Sequence, residues 1–510
     1  MILCETSPNA ATAATLDDLF RRAGVRHPEA IALGDPPNRE SFTDGAPRTL
    51  SFTQADRAIS MFAAKLRSFG LQTDSIVAIQ LPNTVESIVA FLGVLRAGMI
   101  AAPMPLLWRH QDIVGALGQI GAKAIVTCSR VGSAAHAEMA RQAAVDLFSI
   151  RQVCGFGVDL PDGVVPLDDV FGSEMGVIAA DTLVAPTRPS PAAAHIAAIT
   201  FGLDTKGITP VARNHIELVA GGLEIFLETD TATDAPHLST IPIASFAGIA
   251  VTALPWLLSG GSLHLHHGFD VDAFIAQSGS LDGGAVILPA TATGPITEAG
   301  VLTNSKQTVV ALWRGPERMS VAKPLEGRSV LVDVATFGEF GLLAARRGAN
   351  RLPAPIPLGA ADPSRRAAGA PTLVETSRGT AGTLALRGRM VPSVAPAPGS
   401  THPLRFSTNA AGYVDTGWIC RIDADGIIVV ALPPGNTAIG GYPFHLNRVD
   451  EIVAEIDPDA TIVALPDADL GQRFAGTAVD RARLLAKLTL QGTNPLISAA
   501  FRPRAAPEAA

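Results

Sequence analysis

Charge is scarce in this chain: only 17% of its 510 residues are Asp, Glu, Lys or Arg, and the surplus is acidic, with a formal net charge of −8. No Lys/Arg cluster interrupts that balance, so the basic footprint that a phosphate backbone requires is absent and nucleic acid is excluded as a partner. Cysteine is equally sparse. Cys4, Cys128, Cys154 and Cys420 lie far apart with no Cys-x-x-Cys spacing, which excludes a zinc ribbon or a disulfide framework and leaves four reduced, buried thiols. Long apolar runs are missing too. Ile88 to Leu107 is broken by Arg96, Gly98, Pro103 and Pro105, short of the roughly 20 consecutive apolar residues of a membrane helix, so no membrane span is expected. The N-terminus lacks a basic region followed by an apolar core and a small-residue cleavage site, and a cytoplasmic location is expected.

What is present is a 47% hydrophobic composition in a chain longer than one ordinary domain, enough for a sizeable core. Leu50 to Phe52 reads as a short strand, and Thr53 with Asp56 as a helix start before Ile59, Phe62, Ala63 and Leu66, closed by Gly70. Ile76 to Leu81 suits a buried strand. Asn83 with Glu86 then caps a helix carrying Val85, Val89 and Leu92 up to Gly98, and Ile100 to Ala102, Ile113 to Ile120 and Ala124 to Thr127 continue the rhythm. Strands alternating with helices predict an α/β layered fold with a largely parallel sheet. The Pro/Asp/Gly-rich stretch 155–194 and the Pro/Ala/Arg-rich stretch 353–371 read as surface connections. Residues 412–430 predict a β-hairpin turning at Ala424-Asp425-Gly426, and Leu432-Pro433-Pro434-Gly435-Asn436 predicts a hinge. The expected division is therefore a large unit, 1–431, and a small α+β unit, 432–510, with a helix from Leu446 to Ile456.

The stretch "LSFTQADRAISMFAAKLRSFGLQTDSIVAIQLPNTVESIVAFLGVLRAGMIAAPMPLL", continuing to Gly121-Ala122-Lys123, resembles the N-terminal region of the AMP-binding, adenylate-forming superfamily of acyl-CoA synthetases, luciferases and peptide-synthetase adenylation domains. Weaker matches follow in order at 241–248, 335–341, 356–359, 382–388, 412–426 and Gly440-Gly441. The resemblance implies packed sheets and helices followed by a shortened, mobile C-terminal domain. It implies a ligase that activates a carboxylic acid as an acyl-adenylate, with ATP and Mg²⁺ as reactants, and passes it to a thiol. CoA or a carrier protein would be the acceptor, with no tightly bound cofactor and with a homodimer compatible.

The same resemblance assigns residues. The family's Gly/Ser/Thr-rich phosphate loop corresponds to Thr200-Phe201-Gly202-Leu203-Asp204-Thr205-Lys206-Gly207, in which Thr200, Gly202, Thr205 and Gly207 are nucleotide-binding candidates and Lys206 a catalytic one. Phe201 and Leu203 offer no hydroxyl there and Asp204 repels phosphate, so a purely structural turn is an equal alternative. The YGxTE motif maps onto Ala335 to Glu339, making Glu339 the catalytic and Mg²⁺-assisting acid, Phe337 the substitute adenine-stacking ring and the nearby Asp333 a further nucleotide-binding candidate. At the position of the ribose-binding aspartate stands Trp418, whose indole only donates, leaving Asp415 and Arg421 as nucleotide-binding substitutes. Ser245, Phe246 and Trp313 are candidates for an acyl pocket. The catalytic C-terminal lysine has no counterpart after Lys487, which sits in an amphipathic run. His264, His266 and His267 fit an alternating strand better than a metal site. Two readings remain: a ligase with a divergent nucleotide site, and a catalytically silent relative that binds a ligand or a protein.

Overall fold

The computed structural model describes residues 13–172, 192–204, 207–300, 306–361, 367, 369–393, 408–424, 426–467 and 470–502. Among these residues, a seven-stranded sheet runs in the order Val164–Pro166, Gln152–Phe156, Ala124–Cys128, Ile76–Ile79, Ile100–Pro103, Ile196–Asp204, Gly207–Asn214. All its neighbours are parallel except the final pair. An eight-stranded sheet follows the order Gly341–Arg346, Val330–Phe337, Thr308–Trp313, Ala285–Pro289, His237–Ser239, Leu263–Leu265, Ile31–Gly34, Thr49–Ser51, antiparallel only at its two ends.

The apolar runs of the sequence become central strands because both faces are covered. Val77 and Ile79 enter a cluster shared with Leu33, Leu263 and Val332 of the other sheet, through helices Phe52–Ser68, Val85–Arg96 and His215–Thr229. Their neighbours Ile76 and Ala78 point the other way, onto Ile113, Ala116, Leu117 and Ile120 of helix His110–Ile120. The first two of the inner helices approach closely at Gly93, where a Cβ would lie 2.6 Å from Phe62 Cδ1.

A five-stranded sheet, Gly359–Ala360 to Ile427–Ala431, is followed by the last unit. That unit holds the hairpin Asn436–Ile439/Tyr442–His445, helix Leu446–Ile456, the hairpin Thr461–Asp467/Gly471–Thr477 and helices Arg481–Leu490 and Pro495–Ala499. Phe444, Val449, Val453, Phe474, Leu484, Leu488 and Phe501 give it its own core. Among the described residues no helix is long and apolar enough to cross a membrane.

Two helix starts differ from the sequence expectation. Helix Phe52–Ser68 is capped by Ser51, whose Oγ accepts from Gln54 N while Gln54 Oε1 accepts from Ser51 N at 2.9 Å. Thr53 instead donates to Pro28 O, and Asp56 pairs with Arg96 at 2.7 Å. At the next helix Asn83 does not cap: its amide donates to Ser239 O at 2.9 Å and His266 O at 3.0 Å, tying the two sheets together. Glu86 turns into a buried cluster with Arg39, which lies 2.7 Å from it and 2.6 Å from Asp35, and with Arg48. In both cases a long-range partner outbids the local capping bond. Part of the stretch expected as a connection is sheet instead, since Val164–Pro166 pairs with Gln152–Phe156; residues 173–191 lie outside the described part.

Candidate functional site

The carboxyl ends of parallel strands are where open α/β sheets place ligands, and here both sheets present those ends to one crevice of about 1190 Å³. Leu81 and Met104 follow strands of the seven-stranded sheet; Thr240, His267, Ala290, Arg314 and Glu339 follow strands of the eight-stranded sheet. The small unit closes the crevice with the turn Gly440-Gly441, both at positive φ, and with Tyr442. Tyr442 lies half-buried beside Trp108, Arg109, Asp112 and Arg314. Burial raises its phenol pKa well above the ordinary value, and Asp112 adds to this.

Glu339 is the acid of the floor. It ends strand Val330–Phe337 past Gly338, a residue at φ +58, and is buried. Its side chain packs over Gly202, where a Cβ would lie 3.4 Å from Glu339 Cγ. Oε2 accepts from Phe246 N at 2.9 Å and lies 4.0 Å from Arg213 Nη1, while Arg213 Nη2 donates to the Glu339 carbonyl. Arg213 is 1% exposed, and its guanidinium sits 3.8 Å above the Phe246 ring. Burial lowers its pKa to about 10 against the opposing pull of Glu339 and Glu217. Among the described residues Arg213 Nε and Nη1 have no hydrogen-bond partner, so Glu339 is the counter-charge that this buried cation depends on.

Among the described residues no group of three His, Cys, Asp or Glu side chains is placed to hold a metal by itself, and a Mg²⁺ brought in on a nucleotide would have to share the Glu339 carboxylate with Arg213 and Phe246 N.

Of the other candidates, Gly202, Gly207, Ser245 and Trp313 line the crevice. Ser245 Oγ accepts from Gly248 N at 3.0 Å, fixing the start of the short helix Phe246–Gly248. Phe246 itself is withdrawn beneath Arg213 and packs on Gly221, where a Cβ would meet its ring at 2.5 Å, so it supports the floor instead of facing a ligand. Phe337 is 0% exposed in the core and cannot stack on adenine. Asp333 is likewise removed: its carboxylate receives Arg347 Nε at 2.7 Å and Nη2 at 2.9 Å, and Oδ1 receives Trp313 Nε1 at 2.7 Å. Asp415 and Arg421 sit on exposed positions of strand Val414–Ile422, away from the crevice lining, with Asp415 holding Thr383 Oγ1 and Gly417 N. Trp418 is buried in the core cluster.

Thr200 is 1% exposed, and among the described residues its hydroxyl has no partner. Its strand pairs regularly with Gly207–Asn214 up to Asp204↔Gly207, so the stretch compared with a phosphate loop is mostly β-ladder. Thr205 and Lys206 lie outside the described residues. Lys487 is on helix Arg481–Leu490, whose Leu484 and Leu488 fill the small unit's core, and does not line the crevice.

His264, His266 and His267 have separate surroundings. His264 meets Ser262, His266 meets Gln277, and His267 packs tilted against Phe42, ring centres 4.6 Å apart, while accepting from Asn83 N. His267 faces the crevice with His136. Burial first, then Arg109 and His267, drives the His136 pKa down to about 3; burial and then His266 drive that of His267 to about 4.

Sequence reasoning missed Arg213, Arg314, Tyr442 and the His136/His267 pair. A signal existed for the two arginines: each is a lone charge at the end of an apolar strand, in Val211-Ala212-Arg213 and in Val309-Val310-Ala311-Leu312-Trp313-Arg314.

The profile of the family described as AMP-binding enzyme matches residues 20–279. A 4-hydroxyphenylalkanoate adenylyltransferase of Mycobacterium marinum is 36% identical over 100 residues, which is 19% of this chain and only 15% of that protein's length. Among solved structures, the amide bond synthetase McbA of Marinactinospora thermotolerans superposes with a TM-score of 0.66 at 17% identity, covering 94% of each chain. ATP-bound MatB of Rhodopseudomonas palustris gives 0.59 at 16% identity over 94% of this chain and 92% of its own. At such identities the structural likeness speaks to the fold alone.

Proposed function

The chain belongs to the AMP-binding enzyme family, whose fold is that of adenylate-forming enzymes, and from that premise we propose that it activates a carboxylic acid with ATP and passes the acyl group to a thiol. In the first step a carboxylate oxygen attacks the α-phosphorus of ATP and pyrophosphate leaves, giving the acyl-adenylate. In the second, a thiolate attacks the acyl carbon and AMP leaves with the C–O bond's electrons. CoA or a carrier-protein thiol is the acceptor in this reading. The observation that carries it is the crevice itself: one cavity at the carboxyl ends of both sheets, roofed by the small unit, and large enough for a nucleotide and an acid together.

The chain's own residues set the expected rate. Ser245 and Trp313 flank the acid, Gly202 lets a ligand approach the hairpin backbone, and Arg314 supplies positive charge. Glu339 is neutralised by Arg213 and buried Trp418 cannot accept from a ribose. Each missing preorganised contact costs about 10²–10³ in rate, so adenylation is expected to be slow. These same two features favour a second reading, a catalytically silent member that binds an acid, a nucleotide or a protein.

Pyrophosphate exchange and thioester formation, assayed with purified protein over a panel of aliphatic and aromatic acids, separate the two. Exchange above background with at least one acid supports the ligase. No exchange, together with saturable binding of an acid or AMP, overturns it in favour of the silent binder. Turnover on the order of 1 s⁻¹ or more would overturn the expectation that the reaction is slow.

A further inference from the structure

The arginines set deepest in this protein are matched by carboxylates. Arg39 lies 2.6 Å from Asp35 and 2.7 Å from Glu86, Arg96 lies 2.6 Å from Asp17, and Arg347 lies 2.7 Å from Asp333. Even Arg213 has Glu339 at 4.0 Å. Arg314 departs from this rule. It leaves the carboxyl end of strand Thr308–Trp313 into the crevice, half-buried. Among the described residues its one hydrogen bond runs from Nη2 to Ser245 Oγ at 3.5 Å, the outer limit for such a bond, and no carboxylate comes within ion-pair distance. A guanidinium withdrawn from water without a counter-ion is unfavourable, and burial accordingly lowers the pKa of Arg314, with Glu339 and Tyr442 opposing at longer range.

We propose that Arg314 and the hydroxyl of Ser245 form an oxyanion site at the junction of the two units, which takes a carboxylate or phosphoryl group without a divalent metal. The guanidinium offers a planar fork of N–H donors matched to two oxygens of such a group. Ser245 is held for this role, because its Oγ already accepts from Gly248 N and so directs its own hydrogen elsewhere. The small unit completes the site. Gly441 lies against the Arg314 side chain, and a Cβ there would come 3.0 Å from Arg314 Cδ, so glycine lets the turn close over the arginine. Metal independence follows from charge: Arg314 carries the cation that a metal would otherwise bring, and Glu339, the carboxylate whose charge acts on it, is engaged by Arg213 and Phe246 N.

That the anion belongs to an acid substrate or to a nucleotide rests on the function proposed above; that Arg314 binds an anion does not. Isothermal titration of the full chain with AMP and with a panel of aliphatic and aromatic carboxylates, in EDTA and again in Mg²⁺, tests both. At least one anion is expected to bind equally in the two buffers, while adenosine or the acid's primary amide ignores Arg314. Loss of one charged hydrogen-bonded contact in Arg314→Gln is expected to weaken anion binding about 10–100-fold, with Arg314→Lys recovering part. Loss of AMP binding alone identifies a phosphoryl group, and loss of acid binding alone a carboxylate. Arg314→Lys keeps the charge and serves as the readout if Arg314→Gln fails to fold: it must still bind the anion, more weakly than the wild type.

Abolition by EDTA, unchanged affinity in Arg314→Gln, or no anion bound by the wild type would overturn the site. Anion binding without pyrophosphate exchange overturns only the catalytic reading. Exchange that requires Mg²⁺ and ignores Arg314→Gln overturns only this one.

Discussion

Glu339→Gln asks whether the acid of the floor serves ligand or fold. The substitution keeps an oxygen to accept from Phe246 N but deletes the charge facing Arg213, whose Nε and Nη1 have no hydrogen-bond partner among the described residues. Two unit charges 4.0 Å apart attract by about 4 kcal/mol at an effective dielectric near 20. Removing one member of a buried pair costs about 3–5 kcal/mol, because the other stays buried and uncompensated. Arg213→Met leaves an aliphatic chain over the Phe246 ring and strands Glu339 in turn. The double variant removes both charges and should be more stable than the sum of the singles by about 2 kcal/mol, within the range expected of contacting residues. Urea unfolding followed by the fluorescence of the four tryptophans measures the cycle, provided the slope with denaturant is unchanged. Additivity within about 0.5 kcal/mol, or a Glu339→Gln protein as stable as the wild type, would refute the argument. It would return Glu339 to the status of an acid free to serve a ligand.

The remaining predictions use other parts of the molecule. Burial lowers the His237 pKa to about 4, with the Ala235 carbonyl opposing. The unfolded chain therefore takes up a proton at His237 below 6.5 and the folded one does not, so this residue alone should lower stability by roughly 3 kcal/mol between pH 6.5 and 4, in addition to the like effects of His136 and His267. His237→Asn should flatten that slope by about one proton, and an unchanged urea midpoint across the window would contradict the burial argument. Gly93→Ala should cost about 1–3 kcal/mol by forcing a methyl onto Phe62 between two packed helices; a melting temperature equal to wild type would show that the helices separate freely. Asp333→Asn should cost about 3–5 kcal/mol through Arg347 yet leave the affinity for AMP or acid unchanged below the melting transition. A binding loss without destabilisation would put Asp333 back at the site.

The sequence by itself determined the layered fold, and for a local reason. Period-two and period-3.6 apolar patterns, closed by Gly70 and Gly98 at positive φ, state which face of each strand or helix must be buried, as in Ile76–Ile79 and Val85–Arg96. The hairpin Val414–Ile422/Ile427–Ala431 and helix Leu446–Ile456 were legible in the same way. Motif order also brought Gly202, Ser245, Trp313 and Glu339 into one region, because motifs at the carboxyl ends of successive strands necessarily share an edge of the sheets. What the motifs left open was which partner each polar group finds. Asn83 and Glu86 look like capping residues until a second sheet and Arg39 are placed beside them. Asp333 looks available until Arg347, 14 residues on, returns antiparallel. Phe337 looks like a stacking ring until its strand is seated in the core. A charge pair such as Arg213–Glu339 joins residues 126 positions apart, and that Arg314 has no carboxylate within ion-pair distance, among the described residues, is known only once the crevice is assembled. Both are properties of the assembled crevice: the free energy of a buried polar group depends on neighbours that only tertiary structure supplies.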